Sequence, residues 1–452
     1  MGATSITGQE QVENIKDDLQ TEEKSSENKL DMDKLAALKA KSKVKMQENQ
    51  MAAKIVAKKE RSLNLGIIGT GQAGARVAET FYKLGYDTVV LNTAMQDLKY
   101  IDIPDSNKLL LEYGVGGASK ELEIGKAAAE QYSGEIANLI NDKLAKSQVN
   151  ILCLSLGGGS GAGSCETLVD ILSQTRKPLV VITILPMNTE DAQTKSNALQ
   201  TLSKLTEMTK NKIVNNCIVI DNAKIESLYS NVSQLDFYNI ANKVIVDPID
   251  SFNTFSSMPS ATKALDPMEW SKIFIDSEGL CVYGDFVVKN YQEDTAIAEA
   301  VISNLTNNLL ASGFDLKQSK YVGYIIAANK NVWSKIPSSS INYANSMIDD
   351  LCGSPKGVFK GIYVIDDDED EVKIYSIFSG LGLPTSRIEQ LKTETKELQS
   401  KIKLKDESRN LTLQLDTGVN DTVSAAQKIK DKIAAKSSSF GKFVTGTVDR
   451  RK

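Results

Sequence analysis

Five short runs constrain this chain more than any other feature: "LGIIG", "DTVVLN", "VNILCLSL", "PLVVITIL" and "NCIVID". Each is almost unbroken in apolar, mostly β-branched residues, and a helix-length segment separates each from the next. Strands this apolar must be covered on both faces. A parallel sheet with crossover helices does that, so from Leu63 onward the pattern predicts a doubly covered α/β layer. A second series follows: "LCVYGDFVV", the helix "DTAIAEAVISNLTNNLL", "KYVGYIIAA", "INYANSMIDDLC", "FKGIYVID" and "EVKIYSIFSGL". It reads as a smaller mixed sheet, with "DDDEDE" as an acidic turn.

The expected organisation has five parts. Residues 1–62 form an N-terminal extension, disordered and then a charged helix. Residues 63–234 form a Rossmann-like parallel-sheet domain, and residues 235–257 a long central helix that Pro248 would kink or shorten. Residues 258–385 form the smaller α/β domain. Residues 386–452 are a charged helix followed by a basic tail.

Composition excludes several chemistries. The chain has no histidine, which removes imidazole bases, His metal ligands and Ser-His triads. Its five cysteines lack paired spacing, so neither a disulfide frame nor a zinc site is expected. A formal charge of −5 gives no global field toward nucleic acid or membrane. With no apolar run of spanning length and no signal peptide, a soluble cytoplasmic protein is expected.

Two glycine loops carry the functional signal. The first, "GTGQAG", follows the first strand and has G-x-G-x-x-G spacing at Gly69, Gly71 and Gly74. Alone it suggests a dinucleotide fold and a nicotinamide-dependent oxidoreductase. That reading needs an acid at the end of the second strand, where Asn92 and Thr93 stand; Asp97 comes later, inside the next helix. The second loop, "LSLGGGSGAGS", puts five glycines within seven residues between a strand and a helix. Such a loop points several N–H groups into one concavity, reinforced by the helix dipole. It lacks the lysine of a P-loop. A flexible glycine turn is the plainer alternative.

The second loop, with the order of motifs around it, resembles the tubulin/FtsZ superfamily of GTP-binding filament proteins. "GGGSGAGS" looks like that family's signature G-G-G-T/S-G-x-G-S/T, placing Gly157, Gly158, Gly159, Ser160, Gly161, Ala162, Gly163 and Ser164 at the nucleotide. By the same resemblance Gly69, Gly71, Gln72, Ala73 and Gly74 approach the phosphates, with Arg76 close by. "LNTAMQDL" is similar to "VNTDAQAL" of bacterial relatives and turns Asn92 and Thr93 toward phosphate and magnesium. "GVGGASKELEIGKAAAEQ" resembles the γ-phosphate-sensing loop, with Gly116, Gly117 and Ala118 nearest the phosphate. Glu190 falls at the ribose; the family's following arginine is absent, and Thr194 or Lys195 stands near its place. Asn222 would read the guanine edge, Tyr238 would stack on the base, and Asn242, one turn on, would hydrogen-bond it. In isolation, the better reading of Tyr238 and Asn242 is a buried tyrosine and an asparagine meeting backbone.

In "SATKALDPMEWSKIF", Asp266 and Glu269 flank Pro267 at a helix start, where acids are favoured whatever the function. The resemblance implies more. There a D-x-x-E/D pair enters the neighbouring subunit's pocket and activates water against the γ-phosphate; Ala264 replaces the family's Asn. The implied cofactors are GTP/GDP and Mg²⁺, with no protein ligand set for a metal. The implied partner is a second copy, in a longitudinal homopolymer that hydrolyses GTP at each subunit contact.

The charged helix and basic tail look closest to the plasmid- and phage-encoded TubZ/PhuZ type, which implies DNA segregation or phage positioning in a prokaryotic or phage-infected cytoplasm. Lys428, Lys430, Lys432, Lys436, Lys442, Arg450, Arg451 and Lys452 would then meet an adaptor protein or DNA, or simply solubilise the tail. An FtsZ-like cell-division GTPase and a non-hydrolysing nucleotide-binding homologue are the alternatives.

Overall fold

The strands form one ten-stranded sheet, in the order β3-β2-β1-β4-β5-β6-β7-β10-β8-β9, in the computed structural model, which describes residues 60–293, 295–303 and 307–412. The expectations for residues 1–59 and for the basic tail lie outside the described residues. The first seven strands are β1 (Leu65–Thr70), β2 (Asp87–Asn92), β3 (Lys108–Leu110), β4 (Val149–Ser155), β5 (Leu179–Leu185), β6 (Asn216–Asp221) and β7 (Gly279–Val288). They run parallel throughout. The remaining three are β8 (Tyr321–Asn329), β9 (Gly357–Ile365) and β10 (Val372–Leu381); β10 pairs antiparallel with both β7 and β8.

Alternation within the strands builds both layers of core. Ile68, Val89 and Leu152 join one apolar cluster, while their neighbours Ile67, Val90 and Ile151 join the cluster on the opposite face. Near-continuous apolar sequence is therefore what a sheet buried on both sides requires. The parallel and mixed halves expected from the sequence are both present. Backbone pairing of Asn216 with Gly279 and of Ile218 with Cys281 makes them one continuous sheet.

The central helix runs Gln234–Phe255 and continues through Pro248. Phe237, Ala241, Ile245 and Phe252 bury its inner face, and the Tyr283 hydroxyl donates to the Ile245 carbonyl at 2.5 Å in the turn before the proline. Packing thus holds a helix that the proline alone would interrupt. The short strand β3 and the helix Ser133–Lys143 have no counterpart among the sequence expectations.

All five cysteines are free and buried. Burial pushes the thiols of Cys153, Cys165, Cys217 and Cys281 up, that of Cys217 to about 12. They pack as apolar groups. Among the described residues no helix is long and apolar enough to cross a membrane. A charged helix spans Thr385–Thr412; its residues up to Thr395 belong to the compact body, and a second unit begins at Lys396.

Candidate nucleotide site

Strand order fixes where a ligand can lie. From β1 the chain winds outward through β2 and β3, then returns to β4 on the other side of β1 and winds the opposite way. The crevice at the carboxyl ends of β1 and β4 is this sheet's switch point. Both glycine loops leave the sheet there, since Gly69 of β1 is in register with Cys153 of β4.

Three glycines make the loops fit. Gly71 has φ +68°, and a Cβ there would meet the Gly161 amide nitrogen at 2.9 Å. A Cβ on Gly74 would sit 2.1 Å from the Cys153 carbonyl oxygen, so this glycine sets how closely the helix Gly71–Lys83 approaches β4. A Cβ on Gly157 would overlap Thr194, bringing the second loop against the helix Ala192–Lys210. The helix Gly159–Gln174 starts with Gly158 at its N-cap and no side chain capping its amides. Its amides face a cavity of about 660 Å³.

Gly71, Gln72, Ala73, Gly117, Ala118, Gly157, Gly158, Gly159, Ser160, Gly161, Glu190, Asn222 and Tyr238 all line this cavity. Asn242 lines an adjoining cavity of about 770 Å³ together with Arg76. Gln72, Ala73, Ile184, Asn222 and Tyr238 line both, which makes one cleft from glycine loops to central helix. Tyr238 is half exposed, and the side-chain amide of Asn222 meets no partner among the described residues.

Of the other expected residues, Gly116 is exposed and the rest named here stand behind the wall. Gly69, Gly74 and Gly163 are packing contacts; a Cβ on Gly163 would come 2.3 Å from the Leu122 carbonyl oxygen. Ser164 is fully buried and bonded to Thr70 (2.9 Å) and the Gly161 carbonyl (3.2 Å). Ala162 is buried beside it. Asn92 and Thr93 are buried too and shape the loop. The Asn92 side chain accepts from the Ala94 amide and donates to Asp97 (3.1 Å), while the Thr93 hydroxyl meets Ser160 (2.6 Å). The Thr93 carbonyl accepts from the Gly117 amide at 2.9 Å, and Gly116 takes φ +90° to allow that turn.

Three further groups line the cavity, and of these only Lys120 is unnamed in the sequence reading. Asp97, too late in the chain for the ribose acid of a dinucleotide fold, lies in the first turn of the helix Met95–Lys99 and lines the cavity. Lys120 lines the cavity and is ion-paired with Asp191, the N-cap of the helix Ala192–Lys210. Thr194 adds a buried hydroxyl with no partner among the described residues. Lys195, by contrast, points away, donating to the Asn188 carbonyl and to Glu394. An uncapped helix start, a lysine and an orphaned hydroxyl form a donor set for an anion, and an unpartnered amide beside an exposed tyrosine suits a base.

Partial burial works against ionising Asp191, but Lys120 and the Thr194 amide outweigh it and hold the carboxyl down to about 2. The stabilisation is complete above the ordinary carboxylate value and is lost as pH falls through about 2. Asn caps a helix as well as Asp does, so Asp191→Asn isolates the charge. Its melting midpoint should lie below the wild type's near neutral pH and converge with it in acid. A gap that persists unchanged to about pH 2 would disprove the charge effect.

Asp266 and Glu269 stand outside this cavity. Asp266 caps the helix Pro267–Phe274, accepting from the Glu269 amide at 2.8 Å, and Glu269 accepts from the Asp266 amide at 3.1 Å. This reciprocal cap holds Asp266 exposed and Glu269 partly buried beside Lys263, while Trp270 stacks on Phe252 of the central helix and fixes this corner to the core.

A doubly wound sheet with an anion cradle at its switch point and a base-sized cleft beyond defines a nucleotide-binding α/β protein. Residues 64–230 match the Tubulin/FtsZ family GTPase domain, and residues 251–392 match the C-terminal domain of Tubulin/FtsZ-like, TubZ-like proteins. The chain belongs to the tubulin/FtsZ superfamily of filament-forming GTPases. It is 26% identical over 368 residues to the tubulin-like protein CetZ of Pyrococcus furiosus, covering 78% of this chain and 95% of that protein. It is 24% identical over 377 residues to the tubulin-like protein TubZ of Bacillus cereus, covering 75% and 86%. Its fold matches a GTPγS-form protofilament of TubZ from Bacillus thuringiensis serovar israelensis, with TM-score 0.69, 18% identity and coverage of 79% and 96%.

Proposed function

We propose that this protein binds GTP across the cleft and hydrolyses it only when a second copy supplies Asp266 and Glu269. The carrying observation is a separation within one chain: the acid pair, Asp266 exposed and Glu269 partly buried, lies outside the cavity that the glycine loops build. The amides of Gly71, Gly117 and the helix start at Gly159 cradle the phosphates, with Lys120 and Ser160 beside them. Glu190 meets the ribose, Asn222 and Asn242 meet the guanine edge, and Tyr238 covers its ring.

Among the described residues no cluster of three or more acidic or thiol groups could hold a metal alone. Asp97 would therefore hold Mg²⁺ together with phosphate oxygens and water. Mg²⁺ supplies charge neutralisation on the phosphates. Asp266 of the next copy accepts the proton of the attacking water, and Glu269 fixes Asp266 by returning its cap. Cleavage thus waits for contact between copies, and growth of the polymer would move DNA or a phage structure gripped through an adaptor on the basic tail.

Phosphate release from purified protein with GTP and Mg²⁺, followed against protein concentration beside electron micrographs, tests this reading. Turnover per chain should be negligible below a threshold concentration and rise above it, together with filaments. Turnover per chain that does not depend on concentration would refute the shared site.

A further inference from the structure

We propose that Arg387 and Glu394, on the helix after the last strand, are positioning residues that set the guanine-reading and ribose loops from behind. The inference rests on the reading that Asn222 meets the base and Glu190 the ribose. Those residues belong to separate connections: Asn222 follows β6, and Glu190 lies in residues 186–191 after β5. One guanidinium joins the two. Arg387 Nε donates to Asp221 at 2.6 Å, and Nη2 donates to the second Asp221 oxygen at 3.3 Å and to the Pro186 carbonyl at 3.1 Å. Asp221 in turn accepts from the Ala223 amide at 3.0 Å, which fixes the turn presenting Asn222.

Glu394, two helical turns on and on the same face, accepts from Lys195 at 2.7 Å. Lys195 donates to the Asn188 carbonyl, also at 2.7 Å, in the loop that carries Glu190. Arg387, Asp221 and Lys195 are each under 5% exposed. Buried charges contribute little stability over apolar packing, but their fixed directions set register, and any shift of the helix carries both loops with it.

Affinities of the full chain for GTP and for inosine triphosphate, which lacks the guanine 2-amino group, separate positioning from plain stability. Wild type should prefer GTP. Arg387→Lys keeps the charge but loses the fork that reaches both loops. It should weaken GTP roughly tenfold and bring the two affinities together. Asp221→Asn with Arg387→Met keeps the cap, leaves no unpaired charge and should do the same. Glu394→Gln, at a partly exposed position, loosens only the ribose loop, so both nucleotides should weaken in parallel. Folded Arg387 variants that keep the wild-type preference overturn this proposal alone. A wild type that binds neither nucleotide overturns the guanine reading and this proposal with it.

Discussion

With Asp266 replaced by asparagine, phosphate release by assembled protein should fall by roughly a thousandfold, the usual weight of a lost general base. Nucleotide binding and filaments should survive, because Asp266 lies outside the cavity of its own chain. The choice of asparagine matters. Asp266 also caps its helix, and alanine would lose that cap, at about 1 kcal/mol, along with the carboxylate. Asparagine caps as well as aspartate but cannot take a proton, so it divides local stability from catalysis. An Asp266→Asn protein turning over GTP at the wild-type rate would leave the acid as a cap and nothing more.

Gly74→Ala should be the most damaging single methyl in the first loop. Its Cβ would stand 2.1 Å from the Cys153 carbonyl oxygen, a backbone atom inside the sheet that cannot move aside. Overpacking of this kind costs about 3 kcal/mol. Urea unfolding should show the loss with nucleotide absent, because Gly74 packs behind the cavity. Gly85→Ala is the contrast: its φ of +91° strains a side chain, which Gly74's helical backbone does not, but no atom lies within 4 Å of the added carbon. A Gly74→Ala protein as stable as wild type would mean that the helix shifts away from β4 at no cost and the clash argument is wrong.

Much of the architecture was legible because it rests on local pattern. The runs later seen as β1, β2, β4, β5 and β6 announced a sheet buried on both faces, and the two glycine loops announced an anion cradle. β3 was not legible. Its three residues are only partly buried, and pairing with β2 makes them a strand. The helix through Pro248 was half legible, since sequence registers the missing donor but not the packing that outweighs it.

At the site, sequence named the loops better than the individual groups. It counted Ser164 and Gly163 among the nucleotide residues; Ser164 is bonded to Thr70 at the end of β1, and Gly163 packs against Leu122 and Gly125. It passed over Asp97 and Lys120, which line the cavity. It offered Thr194 or Lys195 near the missing arginine's place; Thr194 lines the cavity, whereas Glu394 holds the Lys195 side chain on the far side of the loop. Which way a side chain leaves a loop depends on partners distant in sequence.

The amino-acid order alone determined the layers and the two phosphate-type loops, because β-branched runs and clustered glycines act through neighbours a few positions away. Tertiary structure alone decided that the parallel and mixed halves share one sheet, that the acid pair lies outside its own cavity, and that Arg387 reaches Asp221 across 166 positions. Those outcomes depend on strand pairing and buried charge contacts between distant segments, which no local pattern encodes.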